Sequence, residues 1–575
     1  MRTLLLVLGL AVVFPAQAQL TAPARNNETT ITVTGTRESK VEMSNWRMAE
    51  TPHVVVFSQN DEEELRATAH NLEKLHFVLS ALFGRVDEPD ETIKIAVTMI
   101  GEAGPFEQLR LTDLRWQYGP FPPRFAKTIY YDPRAEGSVL ATTRDGVNLV
   151  LQPSVGRPTS RNCAWGGGDA PLASYSGPPS LDALPRNEIA FCQSAESRLY
   201  AGFAQNYLMT YFPAAYPRWF LQGFGEIFGT MKVGEDFVEY GHRPIGYPQV
   251  MNHYQYIAYP VTEILDGRYL VGRRAWTPYH AWRLVHLLYF SDEWKPRLHE
   301  YLNAIARGED LQSAASALGD PAELKKAVSA YRGRKVEFER MNFPAERTPE
   351  PIIRRMTRAE AGLIRGRLEL GARIEVPTED SPEHSAALER RSKWLERLRE
   401  NARQYPKLIE HQLLLAEAEC RSGNSQECLE AAERAIALSP RDATALVWNG
   451  VALAQLAAQS PAAERQRRLK EARRVIARAN RLDSEGILPL IAYYNSFAVV
   501  GEPAPDRAVD GLAKIVASSP AAPASRLKLG EEFMKRDLED AARETLLPVA
   551  KGAFNTPEKP AAAALLPSPK AEPGS

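Results

Sequence analysis

The chain is 575 residues long and nearly neutral, with 70 Lys plus Arg against 71 Asp plus Glu. No global field therefore favours nucleic acid or an anionic membrane. Hydrophobic content of 44% and charged content of 25% are those of a globular protein, and the length implies roughly two to four domains with real cores.

The first 18 residues carry one basic residue, an apolar run and small residues at Ala16 and Ala18. This pattern predicts a Sec-type signal peptide cleaved after Ala18 and export to a periplasm or beyond. No cysteine follows the run to take a lipid, and the run is too short for a transmembrane helix. Residues 19–45 are polar and read as a flexible lead-in, with the folded region opening at Trp46.

The β-branched run 53–58 predicts a strand, and Leu65, Leu72, Leu75 and Leu79 give 60–83 a helical period. Further strands are expected at 93–100 and 147–153. Residues 154–192 are rich in Gly, Pro and Ser and read as a long loop. Its GGG run lacks a following lysine and a strand–turn–helix setting, so it is not a phosphate loop.

Residues 197–231 read as two helices around an aromatic loop. Leu199, Phe203 and Tyr207 share a face of the first helix. Pro213 and Pro217 stop it, because proline lacks the amide proton a helix interior needs. The second runs from about Trp219 through Phe224 and Phe228. The block at 211–228, YFPAAYPRWFLQGFGEIF, resembles the active-site segment of gluzincin (peptidase-MA-like) zinc metallopeptidases of bacterial envelopes. Such proteins carry HExxH on the first helix and EGxAE on the second, two histidines and a carboxylate that hold zinc while a Glu polarises water.

Aligned on FPAAYP, the HExxH positions are Ala201, Gly202, Phe203, Ala204 and Gln205, the third ligand position is Gln222, and only Glu226 survives of the later carboxylates. Alanine and neutral amides do not replace imidazole or carboxylate at zinc, and Gly202 cannot act as a general base. The resemblance therefore implies a peptidase frame without catalytic residues, metal or cofactor. Its aromatics Phe203, Tyr207, Trp219 and Phe224 are expected to line a cleft that still holds an extended chain. The bland reading is two amphipathic helices with an aromatic core between them.

A polar hairpin is expected at 232–245 and a helix at 279–290, where His286 reads as a core or hydrogen-bonded histidine. His299-Glu300-Tyr301-Leu302-Asn303 mimics HExxH but ends in Asn; it reads as a surface helix with Leu298, Leu302 and Ile305 inward. Residues 336–384 are charged and Pro-punctuated, a connector around a helix near 358–371.

From about 385 to 552 the pattern changes to Ala/Leu/Glu/Arg helices broken at intervals. Pro440 then Gly450, and Pro520 then Gly530, fall in the phase of tetratricopeptide repeats. Four hairpins are expected at 409–440, 443–483, 487–520 and 523–551, the alternative being an ordinary helical bundle. Residues 553–575 read as a disordered tail. Four cysteines in an exported chain pair by proximity as Cys163–Cys192 and Cys420–Cys428, the alternative being four buried thiols.

The expected fold is thus an α+β peptidase-like domain (46–335) followed by an all-α repeat solenoid. The expected function is an exported pseudo-metallopeptidase that binds a periplasmic protein or peptide without cleaving it. The alternative is a hydrolase acting in the same cleft without zinc, through Glu226 with Tyr200 or His286.

Overall fold

The computed structural model describes residues 42–86, 94–100, 129–132, 139–143, 147–150, 190–244, 260–266, 278–331, 335–342, 349–377, 379–484, 486–552 and 556–567, with a few single positions between. The expected signal segment, most of the lead-in, the glycine run and the Cys163–Cys192 pairing lie outside them.

The β-branched run forms β2 (Val54–Ser58), whose burial alternates as a pleated strand requires. Helix α1 (Glu62–Leu82) follows it. Asp61 caps α1 by accepting the Glu64 amide, and three acidic residues fill its first turn, as the helix dipole favours. The helix crosses over to β3 (Ile95–Ile100), which runs parallel to β2 in register Val54↔Ile95. The main sheet is completed by β1 (Met43–Glu50), β4 (Ile129–Asp132), β5 (Val139–Thr143) and β11 (Ile352–Thr357) in the order β11-β1-β2-β3-β5-β4. Strand β1 begins before Trp46 and carries no β-branched residue. Its sequence, MSNWRMAE, hides it from a propensity reading.

The run at 147–153 does not join this sheet. It forms β6 (Val147–Val150), antiparallel to β7 (Ala190–Gln193) in a separate two-stranded ribbon. Helices α2 (Ala195–Tyr211) and α3 (Arg218–Gly229) follow, then a hairpin of β8 (Lys232–Val233) and β9 (Phe237–Tyr240). Beyond them come α4 (Val261–Leu265), α5 (Pro278–Phe290), α6 (Lys295–Ala306), α7 (Leu311–Ala315) and α8 (Pro321–Tyr331). One buried core joins α1, α2, α3 and α5 to one face of the sheet.

The expected connector is instead part of this domain. Strand β10 (Glu339–Asn342) pairs with β9, and β11 pairs antiparallel with β1. Thr357 and Glu360 then form a reciprocal capping box that starts α9 (Arg358–Ile374). Ile364 and Leu368 of α9 pack with Trp46, Met48, Phe57 and Val139 on the second face of the sheet. Without α9 that face would be left uncovered, which is why a charged, proline-punctuated stretch folds rather than links.

The remaining helices are α10 (His384–Gln404), α11 (Ile409–Arg421), α12 (Ser425–Leu438), α13 (Ala443–Ala458), α14 (Ala462–Leu482), α15 (Ile487–Ala498), α16 (Asp506–Ser518), α17 (Pro523–Met534), α18 (Glu539–Ala550) and α19 (Lys559–Leu565). The four expected hairpins are α11–α12, α13–α14, α15–α16 and α17–α18. Gly450 lets α13 approach α14, since a Cβ there would meet Ile476 at 2.5 Å, and Gly530 does the same against Leu546 at 2.4 Å. The tail is not wholly irregular: Ala562 of α19 is fully buried with Leu546 and Val549, closing the apolar end of the last hairpin. A terminal repeat needs such a cap because no neighbour stacks on it.

Both ends of the array touch the α+β domain. At the near end, Gly366 of α9 lies against Leu414 of α11, and the buried Glu369 pairs with Arg397 of α10. At the far end, Arg543 of α18 donates to the Arg307 carbonyl (3.3 Å), and the place of a Gly308 Cβ is 2.5 Å from Leu547. The loop after α2 (Pro213, Ala214) faces Pro523, Pro548 and Val549 across a small apolar cavity.

Candidate functional site

The helix–loop–helix is built as the sequence predicts. Ser194 caps α2 by accepting the Ser197 amide, and α2 ends at Tyr211, ahead of Pro213. Helix α3 is held between two neighbours by glycines on opposite sides. A Cβ at Gly225 would lie 2.4 Å from Gln205 Nε2 and 2.9 Å from the Ala201 carbonyl oxygen of α2. A Cβ at Gly223 would lie 2.4 Å from Val285 and 2.5 Å from the Ala281 carbonyl oxygen of α5. Gly229 meets Ser197 and Ala201 one turn beyond Gly225.

The positions aligned with a zinc site are therefore brought to one helix–helix seam. Ala201, Gly202 and Gln205 of α2 are buried in it, as is Glu226 of α3, while Gln222 is half-buried. The donor set does not fit zinc: a methyl and two neutral amides offer no imidazole or carboxylate at the three ligand positions, and Gly202 offers no base. Among the described residues no group of three or more His, Cys, Asp or Glu is placed to hold a metal ion.

The aromatics expected to line a cleft form core instead. Phe203, Tyr207 and Trp219 are fully buried and Phe224 nearly so. Their rings interlock with others: Phe224 on Phe228 at 5.1 Å, Phe83 on both Tyr207 and Phe224 near 6 Å, Trp219 on Tyr301 at 5.6 Å. Large rings at helical spacing gain most from solvent exclusion, so they fill the seam between helices rather than wall a groove. The structure corrects this part of the reading.

His286 is a structural histidine. Its Nε2 lies 2.7 Å from the Gly241 carbonyl and its Nδ1 2.7 Å from the Tyr331 hydroxyl, while the ring stacks on Phe290 at 4.2 Å. A carbonyl only accepts, so Nε2 carries the proton and Nδ1 accepts from tyrosine. Burial lowers its pKa to about 4. The HExxH mimic lies on α6 with His299 and Glu300 exposed and Leu298 and Ile305 buried, as its spacing predicts.

A polar cluster beside α2 escaped the sequence reading. His53 Nδ1 sits 2.5 Å from Glu73 Oε1, and Glu73 Oε2 accepts the His53 amide at 3.2 Å. The His53 ring stacks on His76 at 4.3 Å, and His76 meets the edge of Tyr207. Ser80 bonds the Tyr207 hydroxyl (3.0 Å), and Asn71 donates to that of Tyr200 (2.9 Å). Burial pushes the Glu73 carboxyl up, but the hydrogen bond and charge of His53 outweigh it and hold it below its ordinary value. The cluster anchors the β1–β2 turn to α1 and α1 to α2. Its signal in the sequence is Glu73 and His76 at i, i+3 on one helix, with His53 heading a strand.

In the array, the first helices of successive hairpins pack on one another, α11 on α13 and α13 on α15. Between α15 and α17, Tyr494 donates to Glu532 (2.9 Å) and Lys528 to Asn495. The first helices thus form one continuous layer, termed the inner layer, and the second helices form the other, outer layer. Cys420 of α11 and Cys428 of α12 form a disulfide within the first hairpin, as expected. On the inner layer Arg421 lies over the Trp448 ring (5.8 Å), and the Lys528 ammonium lies 6.0 Å from the Tyr494 ring centre. Burial lowers the Lys528 pKa. Glu531 and Glu558 oppose that shift and Arg421 adds to it, although Arg421 is three hairpins away.

No family model matches the chain, and no curated protein matches it. Among solved structures it is similar to TTC0263, a thermophilic TPR protein of Thermus thermophilus. The two share 20% identity with a TM-score of 0.27, over 31% of this chain and 90% of that one. It is also similar to yeast Tom70, at 13% identity and a TM-score of 0.25, over 54% of this chain and 64% of that one. The C-terminal third is a tetratricopeptide-like array of helical hairpins. Its four hairpins, the close-approach glycines Gly450 and Gly530 and the stacked first helices give it that character.

Proposed function

We propose that the protein is an exported, non-catalytic scaffold that binds a protein or peptide partner on the inner layer of its hairpin array. The observation that carries this reading is that layer itself: four first helices in sequence, with the cationic ends of Arg421 and Lys528 held along it beside the buried rings of Trp448 and Tyr494. Concave repeat surfaces commonly bind extended chains. Lys528 is disfavoured as a cation by burial and by Arg421, so an acidic side chain or terminal carboxylate of the partner gains there.

The α+β domain supports the array at both ends, and its resemblance to zinc metallopeptidases is read as frame without chemistry. Ala201, Gly202, Gln205 and Gln222 support that reading through their side chains alone. Export is favoured by the leader-like N-terminus and by the Cys420–Cys428 disulfide, a bond typical of oxidising compartments. The hydrolase alternative draws nothing from His286, which is buried with both ring nitrogens engaged. The test is affinity capture from an exported-protein extract by the full chain and by the Arg421→Gln/Lys528→Gln variant. Specific capture by the native chain, strongly weakened in the variant, supports the reading; equal capture by both rejects it.

A further inference from the structure

The even charge balance of the whole chain conceals a local excess. Helix α14 spans 21 residues, against 14, 13 and 12 in the second helices of the other three hairpins. It holds eight Arg and Lys (465, 467, 468, 470, 473, 474, 478, 481) against two acids, Glu464 and Glu471. Its buried residues, Leu469, Ala472, Ile476 and Ala479, define the face that packs inward. Arg467, Lys470, Arg474, Arg478 and Arg481 are exposed. At 100° per residue these five fall within about 80° of one another, opposite the buried face. They form one straight stripe about 21 Å long, from the 1.5 Å rise per residue.

Neighbouring cations of the same helix are engaged: Arg468 with Glu464 and Arg473 with Glu502. Among the described residues Arg467, Lys470, Arg474 and Arg481 have no ion-pair partner, and Arg478 donates only to the Pro440 carbonyl. Parallel unpaired cations repel one another, and a fold does not gain from holding them in line. An external anion does gain.

We propose that the exposed stripe of α14 docks on an anionic phospholipid surface, placing the outer layer of the array against a membrane. The choice of lipid over an acidic protein or nucleic acid follows from what flanks the cations. Their exposed neighbours are Ala463, Glu464, Gln466 and Glu471, with no ring among them; the one large apolar side chain, Leu482, is the last residue of the helix. Protein interfaces are centred on aromatic or apolar anchors, and single-stranded nucleic acid stacks on aromatic side chains. Mobile headgroups need neither, since they rearrange to match fixed charges. The stripe lies on the outer layer, so docking leaves the inner layer open.

The test is co-sedimentation of the full chain with vesicles of phosphatidylcholine, with and without phosphatidylglycerol, at low and at 0.5 M salt. Binding is expected only with phosphatidylglycerol, and it fades at high salt because exposed charges are screened. Each cation near such a surface contributes about fivefold to partitioning. The variant Arg467→Gln/Lys470→Gln/Arg474→Gln/Arg481→Gln therefore binds more weakly by a factor on the order of a hundred or more. The charge-preserving Arg467→Lys/Arg474→Lys/Arg481→Lys variant binds as the native chain does, which separates loss of charge from loss of fold. The proposal is overturned if the native chain ignores anionic vesicles at low salt. It is equally overturned if the neutral variant binds like the native chain, or if the stripe retains nucleic acid or an acidic polypeptide but not vesicles.

Discussion

Replacing Gly223 by alanine tests the helix sandwich at the heart of the α+β domain. The added methyl would meet Val285 at 2.4 Å, the Ala281 carbonyl oxygen at 2.5 Å and its carbon at 2.8 Å. The valine can turn; the α5 backbone cannot without shifting a helix that carries the buried Trp282 and His286. Overpacking of this kind costs about 2–3 kcal/mol, and alanine returns about 1 kcal/mol of helix propensity. The expected net loss is about 1–2 kcal/mol. Gly362 of α9 supplies the control, because it is exposed and a Cβ there meets nothing within 4 Å. Gly362→Ala should stabilise by about 1 kcal/mol. Urea titration of the full chain, followed by near-ultraviolet circular dichroism, reads both midpoints against the native one. A Gly223→Ala midpoint at or above the native value would refute the close approach of α3 to α5.

Removing the Cys420–Cys428 bridge, which closes a separation of eight residues, should cost the array about 2–3 kcal/mol; unfolding of the Cys420→Ala/Cys428→Ala protein measures it. His286 should make acid stability fall. Its folded pKa, about 4, lies below the ordinary 6.5, so its contribution is complete above pH 6.5 and is lost as pH drops toward 4. The full loss is about 3 kcal/mol, and His286→Phe should flatten that part of the stability–pH curve. Deleting 556–575 should expose Leu546 and Val549 and lower the protease resistance of α17–α18 while sparing the α+β domain. Metal analysis after dialysis should find no stoichiometric zinc; one zinc per chain, lost on Gln205→Ala or Gln222→Ala, would contradict the reading of the seam.

Local signals carried much of the fold. Two of the four hairpins were marked by proline and glycine at a fixed phase, which set the period for the others, and Gly450 and Gly530 do sit where second helices press on first ones. Pro213 and Pro217 likewise bounded α2 and α3. What escaped depends on distant partners. β1 has no strand-like composition and exists because β2 and β11 flank it. The 336–384 stretch looked like a linker, yet Met356, Ile364 and Leu368 are spaced to cover a sheet face that only the tertiary fold creates. The aromatics of α2 and α3 were visible, but whether rings at helical spacing line a groove or fill a core is decided by a third element, here Phe83 of the turn after α1 and Tyr301 of α6. The His53–Glu73 pair joins residues 20 apart across a strand and a helix, a separation no short motif reports.

The central claim, that a partner binds the inner layer and is not cut, is tested most directly by site-specific photo-crosslinking. A crosslinking residue is placed at Asn495 on the first helix of the third hairpin, or at the exposed Leu438 on the outer layer, and the full chain is mixed with exported-protein extract. The account predicts adducts from position 495, few from 438, and a crosslinked partner of intact mass. Adducts confined to position 438, or partners recovered as cleaved fragments, would contradict it.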